Sequence, residues 1–454
     1  MSVLPDIGNL IIFWVWQACR GKSIEAMATQ WTNWARNVRF TPAELASPRT
    51  LEEVVQVVSC ALAEGRTVRV AGSGHSFTPA VQTNGVLLDV SKLAGIRHVD
   101  YARSQVVVGA GTVLSNLNEE LAGLGLALPN LGDITAQTVA GSISTSTHGT
   151  GARYFGLAAQ VRAMTLVDGL GRVRHVDDPD EVRLLAVNVG AIGVIVDYTL
   201  EVVPAFRLQA REGAMHVGEL MECLDDVVDT TDHFEFYWIP HTRWCLTKRN
   251  TRTNDVPDPL PMWRHFVEKT VLENIGFGAV CRLGSIRPSL IPRLATALPA
   301  SGSRTYRDQS HKVFASTRLV RFKEMEFAVP RSSGREVLTE LREMIERRGH
   351  MVSFPVEVRF TKADDVALST SFGRDSCYVA VHIYRPMDHT AYFNDVQTIM
   401  VNHGGRPHWG KMHTLDHEYM KSQYPRIDDF LNRRDHYDPQ RMFTNDYVQR
   451  VFGI

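Results

Sequence analysis

Two runs of small residues, Ala71-Gly-Ser-Gly-His-Ser76 and Gly141-Ser-Ile-Ser-Thr-Ser-Thr-His-Gly-Thr-Gly151, constrain this chain more than any other feature. Glycine and serine in such runs let backbone N–H groups approach an anionic group closely, and a row of hydroxyls offers donors without charge. The first run follows the strand-like Val68-Arg-Val70, so it leaves the end of a sheet. Two such loops in one domain point to a ligand of dinucleotide size. The first is not a Rossmann fingerprint, because Phe77 stands three residues after Gly74 where that pattern requires glycine or alanine. No Walker loop is present either.

Around these runs strands alternate with helices. Thr50-Leu-Glu-Glu53 is a capping box, followed by Val54, Val55, Val58, Ala61 and Leu62 at helical spacing and stopped by Gly65. Val86-Leu-Leu-Asp-Val90 and Val106-Val-Val108 read as strands, and Leu114, Leu117 and Leu121 as a second helix ending near Gly123. The polar, Gly-rich stretch 130–151 reads as loop that lines something. Thr165 to Val173 reads as a hairpin turning at Asp168-Gly169, and Gly190-Ala-Ile-Gly-Val-Ile-Val196 as a glycine turn entering a buried strand. Beyond Pro204 come longer strands, Phe234-Glu-Phe-Tyr-Trp238, Met325-Glu-Phe-Ala-Val329, Phe354-Pro-Val-Glu-Val-Arg-Phe360 and Tyr378-Val-Ala-Val-His-Ile-Tyr384, mixed with helices, which gives an α+β class. The Pro-rich Val256-Pro-Asp-Pro-Leu-Pro261 is a loop. The expected division is an extension over 1–28, a first domain over 29–204, a second over 205–400 and a C-terminal segment over 401–454.

At 454 residues the chain exceeds what one core serves. Its 49 Lys and Arg against 50 Asp and Glu leave a net charge of -1, no footprint for nucleic acid or anionic lipid. Cysteines 19, 60, 223, 245, 281 and 377 are scattered without close pairs and read as buried reduced thiols of a cytoplasmic chain. The apolar run Leu10-Ile-Ile-Phe-Trp-Val-Trp16 falls short of the roughly 20 residues a membrane span needs. No Lys or Arg precedes it, as a signal peptide would require, although Ala26-Met27-Ala28 has the form of a cleavage site. It reads as a helix packed on the body, with membrane contact at most peripheral.

Read alone, His75 is ambiguous, since a histidine in a glycine loop is more often a hydrogen-bonding turn residue than a reactive one. Glu357 and Arg359, two apart on a strand, project from one face, yet an exposed Glu-x-Arg is commonly a cross-strand ion pair worth little. The four histidines 403, 408, 413 and 417 tempt a metal reading, the last two having helix-face spacing. There is no His-Glu-x-x-His, and Pro407 and Trp409 interrupt any single ligating helix, so no metal is expected.

The paired loops, their order and separation, and Gly190-Ala-Ile-Gly193 resemble the FAD domain of the vanillyl-alcohol-oxidase superfamily. Arg406-Pro-His-Trp-Gly-Lys411, with Phe354-Pro-Val-Glu-Val-Arg359 and Phe443-Thr-Asn-Asp446, is similar to the aldonolactone oxidoreductases, the group of gulonolactone oxidase, gulonolactone dehydrogenase and arabinonolactone oxidase. The likeness runs from about Trp31 to Gly453. It implies a two-domain FAD-linked oxidase fold, with an FAD-binding domain and a substrate (cap) domain. It also implies FAD carried covalently on His75 through the 8α-methyl carbon, and a single link, because 130–151 holds no cysteine.

By the same resemblance Ala71, Gly72, Ser73, Gly74, Ser76, Gly132, Gly141, Ser142, Ser144, Thr145, His148 and Gly149 surround the cofactor, and Val194 with Ile195 its adenine side. Glu357 becomes the polar or basic partner of the reacting hydroxyl, Arg359 orients the substrate and meets the developing oxyanion, and Lys411 offsets negative charge on the reduced flavin. His382 and His408 line the substrate pocket. The implied reaction is FAD-dependent oxidation of the C2 hydroxyl of an aldono-1,4-lactone, of the L-gulono or D-arabinono type, giving an ascorbate-type product. An alditol oxidase acting on xylitol or sorbitol, and a flavin-free binding protein on the same scaffold, are the alternatives. The electron acceptor is oxygen, a cytochrome or a quinone-like carrier. Gly132, where plant dehydrogenases of the family carry alanine, favours oxygen access, yet relatives sharing the glycine are dehydrogenases, and both readings stand.

Overall fold

The structure, a computed structural model, describes residues 30–261, 275–296, 303–316 and 318–454. The apolar run at 10–16 and Cys19 lie outside them. After a short hairpin, Trp31–Thr32 against Arg39–Phe40, come β1 (Glu44–Ala46) and α1 (Leu51–Ala63), whose start the capping sequence sets. Thr50 Oγ1 accepts from Glu53 N at 3.2 Å, and the Glu53 carboxylate accepts from Arg49 N at 2.7 Å, one residue before the cap. Then follow β2 (Val68–Ala71), β3 (Val86–Asp89), β4 (Ile96–Asp100), β5 (Gln105–Gly109) and α2 (Leu114–Gly123). β1, β3 and β2 form a parallel three-stranded sheet in that order.

The Gly-rich stretch expected to be loop contains a six-residue helix, α3 (Val139–Ser144), with Thr138 Oγ1 accepting from Gly141 N at 3.2 Å. Val139 and Ile143 bury in the core, and that burial overrides the low helix preference of the flanking glycine and serines. β6 (Val161–Val167), β7 (Val173–Val176) and β8 (Val194–Glu201) complete an antiparallel five-stranded sheet of order β7-β6-β8-β5-β4. The expected turn at Asp168 joins β6 to β7, its Oδ1 accepting from Leu170 N and Arg172 N. Gly190 (φ 69°) and Gly193 (φ 144°) make the turn into β8.

The second half is built on β9 (Arg207–His216), β10 (His233–Trp238), β11 (Trp244–Thr253), β12 (Ser303–Gln309), β13 (Phe322–Pro330), α4 (Gly334–Arg348), β14 (Val356–Thr361), β15 (Ser376–Tyr384), α5 (Thr390–Asn402) and β16 (Arg406–Pro407). The strands form one antiparallel sheet of order β12-β9-β11-β10-β14-β15-β13-β16. β14 begins at Val356, after Pro355, which has no N–H to give a ladder. Side chains alternate across this sheet. Phe234, Phe236, Met325, Phe327, Val356, Val358, Val379 and Val381 face α4 and α5 in one apolar cluster, where each fully buried phenylalanine contributes about 1.5–3 kcal/mol. The opposite face carries Glu235, Glu324, Glu326, Glu357, Arg359 and His382, all buried. A sheet with one oily and one charged face, both covered, needs something polar above the charged one.

The chain ends in α6 (His417–Gln423), α7 (Ile427–Tyr437) and α8 (Asp446–Phe452), which return to the first half: Met420, Tyr424, Phe430, Val448 and Phe452 share a core with β5, β6, β8 and α2. Cys245, Cys281 and Cys377 are buried free thiols and Cys223 is free and half-buried. Cys60 departs from the expectation of reduced thiols throughout, being disulfide-bonded.

Candidate active site

Residues 72–76 leave β2 as a tight loop. Gly74 sits at φ 69°, which favours glycine, and a Cβ there would lie 3.1 Å from the Trp31 ring, which would have to give way. Among the described residues, no acceptor meets the N–H groups of Gly72, Ser73, Gly74, His75 or Ser76. A short hairpin, Trp31–Thr32 against Arg39–Phe40, clamps this loop from outside. Trp34 N donates to Gly74 O (2.8 Å), Asn33 Nδ2 to Ser76 O (2.9 Å) and Asn37 Nδ2 to Phe77 O (2.8 Å). The Trp34 ring stacks on His75 at 5.6 Å.

Facing the loop, α3 supplies Gly141, Ser144 and Thr145, and β8 supplies Ile195, around a cavity of about 90 Å³. Arg69 borders it but is spent elsewhere, donating to the carbonyls of Ala80, Val189, Gly190 and Phe443. Gly141 N and the Thr145 hydroxyl are used within this segment, so this half of the site offers the N–H groups of residues 72–76 and the hydroxyls of Ser73 and Ser76, a donor set for a pyrophosphate held without cations. Of the expected cofactor residues, Ala71, Ser142 and Val194 are buried and do not line this cavity. Gly149 serves close packing, since a Cβ there would meet Leu131 O at 2.5 Å.

His75, Ser76, Gln137 and Thr145 border this cavity and also a larger one of about 350 Å³, so the two adjoin as arms of one cleft. The larger part brings together Gly132, His148, Glu357, Arg359, His382, His408 and Lys411 from segments far apart in sequence. Its floor is the charged face of the large sheet, and strand register sets the pairs. Glu235 stands opposite both Arg359 and Lys248, Tyr237 opposite Glu357, and Glu324 opposite His382. Arg359 Nε donates to Glu235 Oε2 at 2.8 Å. Its Nη2 lies 2.5 Å from Glu357 Oε1 and 3.0 Å from Asp133 Oδ1, yet makes a well-directed hydrogen bond to neither. A buried guanidinium nitrogen left without an aligned acceptor fits an oxygen atom of a bound molecule.

Burial pushes the Glu357 carboxyl up to about 7 against the pull of Arg359, helped by the neighbouring Asp133 and Glu235 charges. Burial alone would also raise Asp133, but Arg359 and Arg318 outweigh it and hold this carboxyl well below the usual range. Arg318 Nη2 and Ser316 Oγ reach Asp133 Oδ2 at 3.0 and 3.1 Å. His75 is pushed down to about 4 by burial and then by Lys411, so its ring is neutral at pH 7, as a nucleophilic nitrogen requires. Lys411 Nζ contacts the Glu324 carboxylate, and the carboxylates of Glu324 and Glu326 keep it charged against its burial.

Asp133, Glu235, Glu324, Glu326, Arg318 and Trp34 were not foreseen. Glu324 and Glu326 stand two apart within a strand that is otherwise mostly apolar, and Glu235 between two phenylalanines. A carboxylate in such a strand is costly to bury unless paired, and that was the available signal. The four C-terminal histidines do not assemble: His403 meets Glu340, His413 meets Tyr447, and only His408 enters the cavity. His408 does join His148 and Glu326, with candidate ligand atoms within 4.8 Å of one another. His408 Nδ1 accepts from Gly410 N–H at 3.0 Å, which favours a neutral ring with its proton on Nε2.

A sequence model described as FAD binding domain matches residues 42–177, and one described as D-arabinono-1,4-lactone oxidase matches residues 198–451. The L-gulono-1,4-lactone dehydrogenase of Mycobacterium tuberculosis (strain ATCC 25618 / H37Rv) is 39% identical over 428 residues, 94% of this chain and 100% of the relative. The L-gulonolactone oxidase of Bos taurus is 34% identical over 435 residues, 92% of this chain and 97% of its own. Among solved structures, cholesterol oxidase from B. sterolicum superposes with a TM-score of 0.79, covering 93% of this chain and 96% of its own at 17% identity, a likeness of fold.

Proposed function

This chain belongs to the D-arabinono-1,4-lactone oxidase family, and from that premise we propose that it is an FAD-dependent oxidoreductase that oxidises the C2 hydroxyl of an aldono-1,4-lactone of the L-gulono or D-arabinono type. The observation that carries the reading is the cavity faced by His75, Glu357, Arg359 and Lys411, which adjoins a second one lined by residues 72–76.

Gly72 to Ser76, with Gly141, Ser144 and Thr145, would hold the FAD pyrophosphate, and Ile195 would border the adenine side. The neutral His75 nitrogen would carry the covalent bond to the 8α-methyl carbon. When bound, FAD supplies the acceptor for the hydride that leaves C2.

Arg359 Nη2 receives the lactone oxygen and favours the alkoxide as its proton departs. Glu357 takes that proton; a carboxyl near 7 is matched to base catalysis at neutral pH. Lys411 places a cation at the wall shared with His75, where reduction adds negative charge. Loss of hydride from C2 and of the proton from oxygen leaves a 2-keto lactone, which enolises to an ascorbate-type product. His382 and His408 border the substrate. The relatives carry both names, dehydrogenase and oxidase, so oxygen, a cytochrome or a quinone-like carrier serves as acceptor. Among the described residues no helix is long and apolar enough to cross a membrane. We place the protein in the cytoplasm, with membrane contact at most peripheral.

Turnover with a dye acceptor, measured side by side on L-gulono-1,4-lactone, D-arabinono-1,4-lactone, xylitol and sorbitol, tests the substrate class. Lactone oxidation with little alditol turnover is expected; the reverse preference would replace the reading by an alditol oxidase.

A further inference from the structure

Strand β13 turns two carboxylates, Glu324 and Glu326, into the cavity from one face, and the C-terminal segment is fastened to them by its backbone as well. His408 N donates to Glu326 O at 3.0 Å and Met412 N to Glu324 O at 2.9 Å, which suspends Lys411 between two fixed points. Its ammonium contacts the Glu324 carboxylate and lies 5.1 Å from the Phe77 ring, two residues beyond His75. Glu324 also has His382 Nε2 at 3.5 Å. The Glu324 side chain is 8% exposed and that of Lys411 19%, so water and salt screen this pair little.

We propose that Glu324 is a positioning residue for the flavin-side cation: it holds the Lys411 ammonium at the cavity wall, balances its charge, and thereby sets the reduction potential of the bound flavin. The inference rests on the reading that FAD occupies this cleft. Two electrons and one proton convert FAD to its anionic reduced form, so the cavity gains one negative charge. A lone cation would favour that gain and a lone carboxylate would oppose it. The pair together is close to neutral, which tempers a potential that Lys411 alone would raise.

The test is the midpoint potential of the holoenzyme, read anaerobically against a reference dye, for wild type, Lys411→Met, Glu324→Gln and the double variant. Glutamine keeps an oxygen for the ammonium and removes only the charge. Glu324→Gln is expected to shift the reduction equilibrium at least tenfold toward reduced flavin, about 30 mV for a two-electron couple. Lys411→Met is expected to shift it the opposite way, and the double variant to return most of the way to wild type. An unchanged potential in Glu324→Gln, or a fall that parallels Lys411→Met, overturns the proposal. Should the single glutamine variant fail to retain flavin, the double variant decides, since it removes both buried charges; a potential equal to that of Lys411→Met alone overturns it. A wild type with no visible flavin band fails the underlying reading, and is told apart by that missing band.

Discussion

The two arms of the cleft grip by opposite means. Around residues 72–76 and 141–145 the donors are backbone N–H groups and hydroxyls, and the one nearby guanidinium, Arg69, is consumed by four carbonyls. On the sheet floor, Asp133, Glu235 and Glu357 stand within ion-pair distance of Arg318, Lys248 and Arg359. On the proposed reading, the contrast follows from what each arm would hold. A pyrophosphate keeps its charge throughout the reaction, and fixed dipoles suffice for it. A hydroxyl that becomes an alkoxide and then a ketone changes charge, and buried charges respond strongly to such a change. Substitutions on the floor should therefore cost rate with flavin retained, and substitutions in the cradle should cost flavin.

The largest effect is expected at Arg359. Arg359→Met should slow anaerobic flavin reduction by the lactone by about 10²–10³-fold or more, the cost of losing one oxyanion donor, with flavin content unchanged. Flavin loss instead would place Arg359 in the cradle. Glu357→Gln should slow the same step by about 10²-fold, the low end for a general base. Because the proposed base would act in its ionised form and burial lifts Glu357 to about 7, wild-type kcat/KM should fall as pH drops through about 7. The glutamine variant should lack that limb; a persistent limb would assign it to another group.

Lys411→Met should slow flavin reduction more modestly, and an unchanged rate would remove its role. His75→Ala sharpens the contrast at the boundary of the two arms: flavin should stay with the folded protein but leave it completely on acid precipitation, whereas wild type keeps it. Smallest is Gly74→Ala, which places a side chain at positive φ for about 1–2 kcal/mol and should lower thermal stability and flavin occupancy together. Equal occupancy would mean that the loop does not hold the cofactor.

The cradle was more legible in the sequence than the floor, and the reason is range. Thr50 to Gly65, the first glycine run and the turn at Gly190 are local patterns, and each folds as its own residues dictate, whereas the second run begins in a helix that core burial imposes. Glu357, Arg359, Lys411, His382 and His408 were named through a family resemblance, and the structure does bring them to one cavity. The partners that make them a site were not visible. Glu235 reaches Arg359 only through the pairing of β10 with β14, and Glu324 reaches Lys411 only through β13 and the returning C-terminal segment. Strand register between segments a hundred residues apart leaves no mark at either position. The same limit applies to Ala71, Ser142 and Val194, which are buried and line neither arm of the cleft.

One anaerobic experiment decides the reaction: mix the purified protein with L-gulono-1,4-lactone, follow the visible flavin band, then admit air. Bleaching by the lactone is the predicted result, and the speed of recovery in air then separates an oxidase from a dehydrogenase. A flavin band that the lactone leaves untouched, while xylitol or sorbitol bleaches it, would contradict the account.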